Sequence, residues 1–208
     1  MRRLHAASLL PAMLLLIATG TANAVSLTSV ATSFTGDPLD ILLTFDETAE
    51  GDILVTAEVI GGMEGDIRAV FLNISNDALL ADLEITGDLV TGTNTSGSVD
   101  DMRRGANLRG GGTPCPCDLG VAFGSPGIGK DDLQIVSFTL SHPDVDLDLS
   151  LVAGQLAGVR VTSVGDGGDR EGSSKTVALV PEPSTAALSL LGLWALAWYR
   201  SRGRPTAA

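Results

Sequence analysis

Short runs of alternating apolar and polar residues fill the middle of the chain. The clearest runs span 41–46, 53–59, 136–140 and 159–162, and further apolar runs span 27–34, 67–74, 79–85, 119–123 and 175–180. A period of two residues is typical of strands that bury one face. Turn-forming residues separate the runs, as in Gly36-Asp37-Pro38 and Gly61-Gly62. The pattern predicts an all-β fold, namely an antiparallel β-sandwich of about eight or nine short strands.

One internal stretch, 91–116, lacks this alternation. It is rich in Gly, Ser, Asn and Arg and poor in apolar residues. Such a composition is typical of segments that run over a protein surface. We therefore predict a long surface loop at 91–116.

The N-terminus has the three parts of a secretory signal peptide. The positively charged start consists of Arg2 and Arg3, and an apolar stretch follows at 9–18. Ala22 and Ala24 then form a cleavage site of small residues. This order is that of a segment removed during export. We predict a signal peptide at 1–24 and a mature protein that begins near Val25.

The C-terminus carries a proline motif, an apolar stretch and a basic tail. In order these are Val180-Pro181-Glu182-Pro183-Ser184-Thr185, then 186–199, then Arg200, Arg202 and Arg204. The two prolines favour an extended backbone around Glu182, so we expect an exposed segment that an enzyme can read. A helix over 186–199 would rise about 21 Å, less than the ~30 Å hydrocarbon core of a bilayer. A short permanent membrane anchor is the alternative to a processed signal.

This C-terminal arrangement resembles the PEP-CTERM sorting signal of Gram-negative bacteria. The resemblance implies recognition by an exosortase, an integral-membrane protease that cuts near the motif and passes the protein to the cell surface. It assigns Pro181, Glu182, Pro183 and Ser184 to the recognition motif and 186–199 to a transmembrane helix. The three arginines that follow become a cytoplasmic stop. Proteins with this signal are associated with exopolysaccharide production and biofilm formation.

Between the signal peptide and the sorting signal (180–208) lies an exported domain, 25–179, which is strongly acidic. Of the 13 Lys and Arg residues, five lie outside this domain, and of the 25 Asp and Glu residues only Glu182 does. The domain thus has 8 basic and 24 acidic side chains, a formal charge of −16. A charge of this sign opposes binding to nucleic-acid phosphates, so we expect no nucleic-acid partner.

The glycine-rich stretch from Gly124 to Lys130 fits most of the phosphate-loop pattern. Asp131 follows it, where that pattern needs a hydroxyl group to hold Mg²⁺. Asp131 and Asp132 would also repel phosphate. We therefore expect a hairpin here and no nucleotide ligand.

Catalysis has little support in the sequence. A nucleophile normally needs a positioned base, and the exported domain has a single histidine, His142, beside Pro143. Carboxylate pairs for glycoside hydrolysis are easily found among so many acids. However, both Trp and the only Tyr lie in the C-terminal tail, which leaves few rings on which a sugar could stack. We predict that the protein is not an enzyme, with a secreted glycan hydrolase as an alternative.

Calcium is the most plausible metal. Asp144, Asp146 and Asp148 place three carboxylates two residues apart, and hard oxygen ligands suit Ca²⁺. The EF-hand pattern fails because Leu149 stands where a glycine is needed. The same spacing is expected for a strand with a solvated acidic face, which we favour. We therefore expect no cofactor, with Ca²⁺ as the alternative.

The two cysteines, Cys115 and Cys117, are separated by one residue. Two thiols do not complete a zinc site. In an oxidising exported compartment they should not remain free. We predict a local or intermolecular disulfide, and a redox role is the alternative.

Together these observations predict an exported structural or adhesive protein of the cell surface or exopolysaccharide matrix. It would be held in the membrane by its C-terminal helix until an exosortase processes it, and would then reach the cell surface or extracellular matrix. The alternative is a surface module that binds Ca²⁺ or polysaccharide.

Overall fold

The computed structural model describes residues 25–112, 116–125, 131–168 and 170–182, together with Trp194. It contains ten strands and two single-turn 3-10 helices, Asp77–Leu79 and Leu149–Leu151. The strands are β1 (Ser26–Gly36), β2 (Asp40–Glu47), β3 (Ile53–Ile60), β4 (Glu64–Leu72), β5 (Glu84–Thr86), β6 (Val90–Asn94), β7 (Leu119–Phe123), β8 (Ile135–Ser141), β9 (Leu156–Gly165) and β10 (Gly172–Leu179).

All ten strands belong to one antiparallel sheet. Their order across it is β5-β8-β3-β2-β1-β10-β9-β4-β7-β6. The prediction of an all-β, antiparallel fold is therefore confirmed. The strands form one continuous hydrogen-bonded sheet of ten, whereas the sequence predicted eight or nine strands in a sandwich. The alternation of residues reveals which face of a strand is buried, but it does not reveal which strand lies beside it.

The sheet folds over so that its two edges approach each other. β8 lies second from one edge and β7 second from the other, yet Phe138 and Phe123 on these strands have ring centroids only 5.8 Å apart. The backbone N–H of Ile67 in β4 donates to the carbonyl of Leu133 just before β8, at 2.8 Å. The sheet is thus nearly closed around a single apolar core.

The inner face of the sheet follows the alternation seen in the sequence. In β2, Ile41, Leu43 and Phe45 are completely buried, and the residues between them are partly exposed. Leu43 lies opposite Ala57 and Phe45 opposite Val55 in β3, whose inward side chains are also buried. Each large apolar side chain buried in this way stabilises the fold by about 1.5–3 kcal/mol.

β4 departs from this alternation because it is buried on both faces. On its outer side Ala69 and Phe71 belong to a second apolar cluster, which we call the outer cluster. Its other buried members are Val99, Ala106, Leu108 and Cys117, and Phe34 and Met102 pack against it. A methyl group on Gly158 of β9 would lie 2.5 Å from Cδ1 of Leu108, so the side chain of Leu108 packs directly on this glycine and would have to shift for any larger residue.

The outer cluster shows that the stretch 91–116, for which the sequence predicts a long surface loop, also contributes buried residues. Most of β6 lies in this stretch, and the segment from Val99 to Leu108 covers the outer side of β4 and β9. Val99 also forms an isolated β-bridge with Cys117. Val99, Ala106 and Leu108 of this stretch are buried and the partly buried Met102 packs against them, which composition alone does not reveal.

The predicted terminal segments fall almost entirely outside the described residues. The signal peptide, 1–24, is not covered, and β1 begins at Ser26. Of the predicted transmembrane helix, 186–199, only Trp194 is described, and it is exposed. Within the ranges that the structure describes, no helix has the length and apolar character needed to cross a membrane.

Candidate functional site

The predicted recognition motif begins where the sheet ends. Val180, which follows β10, is only 1% exposed. Its N–H donates to the carbonyl of Gln155, and its carbonyl accepts from the N–H of Gly154, both at 2.9 Å. The hydroxyl group of Ser29 donates to the carbonyl of Leu179, also at 2.9 Å. The chain is therefore held firmly up to Val180.

Exposure changes at the next residue. Pro181 and Glu182 are both exposed, and neither belongs to a strand. Pro183 and Ser184 of the predicted motif lie outside the described residues, as do Arg200, Arg202 and Arg204 of the predicted cytoplasmic stop. Ala22 and Ala24 of the predicted signal-peptide cleavage site also lie outside them. The described half of the motif is thus an accessible segment attached directly to an anchored strand.

The three aspartates considered for Ca²⁺ lie in an irregular loop and its following 3-10 turn, where the sequence suggested a strand. Asp144, Asp146 and Asp148 are exposed, and the apolar residues Leu147 and Leu149 between and after them are buried. The carboxylate of Asp148 caps the 3-10 helix, since its Oδ1 accepts from the N–H of Ser150 at 2.8 Å. Among the described residues, no group of three or more potential ligands is arranged to hold a metal ion.

The other residues singled out by their chemistry are His142 and the two cysteines. His142 lies at the end of β8, and its Nδ1 accepts a hydrogen bond from the N–H of Asp144 at 3.2 Å. Cys117 is fully buried in the outer cluster and is disulfide-bonded. Cys115 lies outside the described residues. Cys117 is therefore part of a packed region of the domain.

Sequence reasoning missed a buried charged pair in β4, Asp66 and Arg68. The side chain of Asp66 is fully buried and that of Arg68 is 7% exposed. The distance from Oδ2 of Asp66 to Nη1 of Arg68 is 3.9 Å. Neither of these two atoms has a hydrogen-bond partner, although the Oδ1 of Asp66 accepts from the N–H of Leu133 at 3.1 Å. Burial raises the pKa of Asp66, and the nearby charges of Asp131 and Asp132 raise it further.

A more exposed ion pair network lies beside this pair. The guanidinium group of Arg170 binds Glu64 at 3.3 Å and also contacts the carboxylate of Asp132. Its Nε donates to the carbonyl of Ser163 at 3.0 Å. The hydrogen bond from Arg170 lowers the pKa of Asp132. In the sequence this network gave no signal, because Glu64 lies in β4 whereas Asp132 and Arg170 lie in two distant loops, and they meet only in the folded chain.

No family model, no curated protein and no solved structure matches the chain. Its function is therefore inferred from its residues and their arrangement.

Proposed function

We propose that the chain is an exported, non-enzymatic structural or adhesive protein of the cell surface or exopolysaccharide matrix, processed by an exosortase at its C-terminal signal. The observation that carries the proposal is the abrupt change after Val180. The last anchored residue of the sheet is followed at once by the exposed residues Pro181 and Glu182. A protease needs an extended, accessible segment, and the prolines favour an extended backbone.

Cleavage beyond Val180 would leave the exported domain intact. β10 pairs along its whole length with β9 on one side and over 174–177 with β1 on the other. The contacts of Val180 with Gly154 and Gln155 close the end of this strand. None of these contacts involves a residue of the motif, so removal of the tail would cost the fold no strand pairing.

The described surface supports a structural role more than a catalytic one. Four of the five phenylalanines are buried completely or almost completely, and the fifth, Phe34, packs against the outer cluster. In the described part of the exported domain, no exposed aromatic ring offers a platform on which a sugar could stack. His142, the histidine of this domain, holds a loop through its Nδ1.

The test is the intact mass of the protein made in its native host, compared with a variant in which Pro181, Glu182 and Pro183 are all changed to Ala. We expect the native protein to lack both the signal peptide and the C-terminal tail and to leave the membrane fraction. We expect the triple variant to lose only the signal peptide and to remain in the membrane.

The matched control is the double variant Pro143→Ala and Asp144→Ala. It also removes an exposed proline and the acidic residue after it, but at a position far from the motif in the sequence. This control should be processed like the native protein. If the native protein keeps Arg204 and stays in the membrane, the tail is a permanent anchor and the proposal of exosortase processing fails.

A further inference from the structure

A cavity of about 450 Å³ lies between β4, the ends of β6 and β7, and the loop at 102–106. Arg68, Arg103 and Arg104 all line it. They are three of the eight basic residues of a domain with 24 acidic ones. Among the described residues that line the cavity, none is acidic. The carboxylate of Asp131 lies nearby and contacts the backbone N–H of Ser125, but the side chains that line the cavity carry three positive charges and no negative one.

Arg68 places a poorly hydrated positive charge in the wall of this cavity. Its side chain is 93% buried, and its Nη1 has no hydrogen-bond partner. The closest carboxylate oxygen, Oδ2 of Asp66, is 3.9 Å away, which is too far for a hydrogen bond. Burial removes water from around a charge and so strengthens its attraction for an anion held nearby.

The other two arginines are exposed, but their backbone is held in place. Arg103 and Arg104 have φ angles of 67° and 51°, a left-handed conformation that few side chains other than Asn and Asp adopt. The Oδ1 of Asp101 accepts from the N–H of Arg103 at 2.6 Å, and the carbonyl of Arg103 accepts from the N–H of the buried Ala106 at 3.0 Å. The loop thus directs two adjacent arginines to the same cavity.

We propose that this cavity is a binding site for an oxyanion, that is, a carboxylate, sulfate or phosphate group. Arg103 and Arg104 would donate hydrogen bonds to the anion, and Arg68 would provide charge from behind it. Guanidinium groups bind such groups through paired, charge-assisted hydrogen bonds. The carboxylates of Asp66 and Asp101 lie next to Arg68 and Arg103, but only the three arginines among these charged groups line the cavity itself. Charges farther away than about 8 Å are screened at physiological ionic strength. The proposal does not depend on how the C-terminal tail is processed.

The anion could be a free ion or a group carried on an acidic sugar, and calorimetric titration of the full chain in a nonionic detergent separates the two. The probes are sulfate, phosphate, trigalacturonate and, as a neutral control, galactotriose, all at one physiological ionic strength. Comparable binding of the free ions and trigalacturonate means that the anionic group is sufficient. Binding of trigalacturonate alone means that the sugar contributes as well. The site is supported in either case, provided that galactotriose does not bind.

The decisive comparison uses two variants of the same loop. Changing both Arg103 and Arg104 to Gln should weaken anion binding about tenfold or more, because two charged donors are lost. Arg109→Gln is the matched control: Arg109 forms ion pairs with Asp100 and Asp101, each at 3.1 Å, and does not line the cavity. The Arg109 variant should bind like the native protein. The proposal is wrong if no anion binds at millimolar concentration, or if the loss in the Arg109 variant matches that in the double variant.

Discussion

Phe123 and Phe138 lie on strands near opposite edges of the sheet, and yet their rings are in contact, with centroids 5.8 Å apart and ring planes inclined at 46°. Both side chains are almost completely buried. This tilted arrangement is one that aromatic pairs favour. The contact joins the two ends of the ten-stranded sheet, and the stability of the closed sheet should therefore depend on it.

The first prediction concerns this contact. Phe138→Ala removes a buried ring from the point where the sheet closes, and we expect it to lower the free energy of unfolding by about 3–5 kcal/mol. Urea unfolding followed by circular dichroism measures the change. Ile135→Ala in the same strand is the control, because Ile135 is 54% exposed, and it should cost far less. Equal losses in the two variants would mean that the aromatic contact has no special importance.

The second prediction concerns the segment that covers the outer face of β4. Leu108 is fully buried in the outer cluster, and Leu108→Ala should lower the free energy of unfolding by about 2–5 kcal/mol. The segment should also open locally, which would free the backbone around the already exposed Arg103, Arg104 and Arg109 for cleavage by trypsin. Limited proteolysis at native conditions detects this opening.

The control for this prediction is Leu89→Ala, which truncates a leucine that is 40% exposed. It should leave the rate of cleavage at the three arginines unchanged. If Leu108→Ala were cleaved no faster than the native protein, the outer cluster would not be what holds the segment in place.

The third prediction concerns the turn between β1 and β2. Gly36 has a φ angle of +93°, and a methyl group there would lie 2.0 Å from the backbone oxygen of Ser173. Gly36→Ala should therefore combine backbone strain with a clash against the main chain and destabilise the protein by more than about 2 kcal/mol. Gly61→Ala separates the two effects, because Gly61 has a similar φ of +86° but no atom within 4 Å of the added group. Thermal unfolding should rank the Gly36 variant well below the Gly61 variant, and equal melting temperatures would exclude the clash.

The strands of the inner face could be predicted from the sequence because their alternation is local. The alternation at 41–46 and 53–59 predicts two strands, and these pair as β2 and β3 with Ile41, Leu43 and Phe45 of β2 inside. The order of the strands could not be predicted in this way. β5 has only three residues, and its partner β8, although clearly alternating, is about fifty residues away in the chain, so no local pattern indicates that the two strands pair.

The buried residues within 91–116 and the buried pair in β4 could not be predicted, for a related reason. Val99, Ala106 and Leu108 are too few and too irregularly spaced to show a period, and they become core residues only because β4 and β9 offer them an apolar surface. Asp66 and Arg68 alternate with apolar residues as an exposed face would. They are buried because distant parts of the chain cover them. The predicted recognition motif, by contrast, is continuous in the sequence, so its prediction did not depend on knowing the fold.

The last prediction concerns the pH dependence of stability, which the buried Asp66 should influence. Burial raises the pKa of Asp66 in the folded protein above its value in the unfolded chain. The folded state therefore binds the proton of the Asp66 carboxyl group more tightly than the unfolded chain does. The stability that this difference provides is fully present below the unfolded pKa and is lost as the pH rises through the folded pKa. Asp66→Asn resembles the neutral form at every pH and keeps an oxygen to accept from the N–H of Leu133.

We expect the native protein and the Asp66→Asn variant to have the most similar stability at acidic pH, with the native protein losing stability relative to the variant as the pH rises towards neutral. Asp132→Asn should show the opposite sign, because the hydrogen bond from Arg170 lowers the pKa of Asp132. The stability that the charged Asp132 provides is present above its unfolded pKa and is lost as the pH falls through its folded pKa. Asp132→Asn should therefore have a lower free energy of unfolding than the native protein at neutral pH. Urea unfolding of the three proteins across this pH range measures both differences. A difference between the native protein and Asp66→Asn that does not change with pH would show that the burial of Asp66 has no effect on its proton affinity.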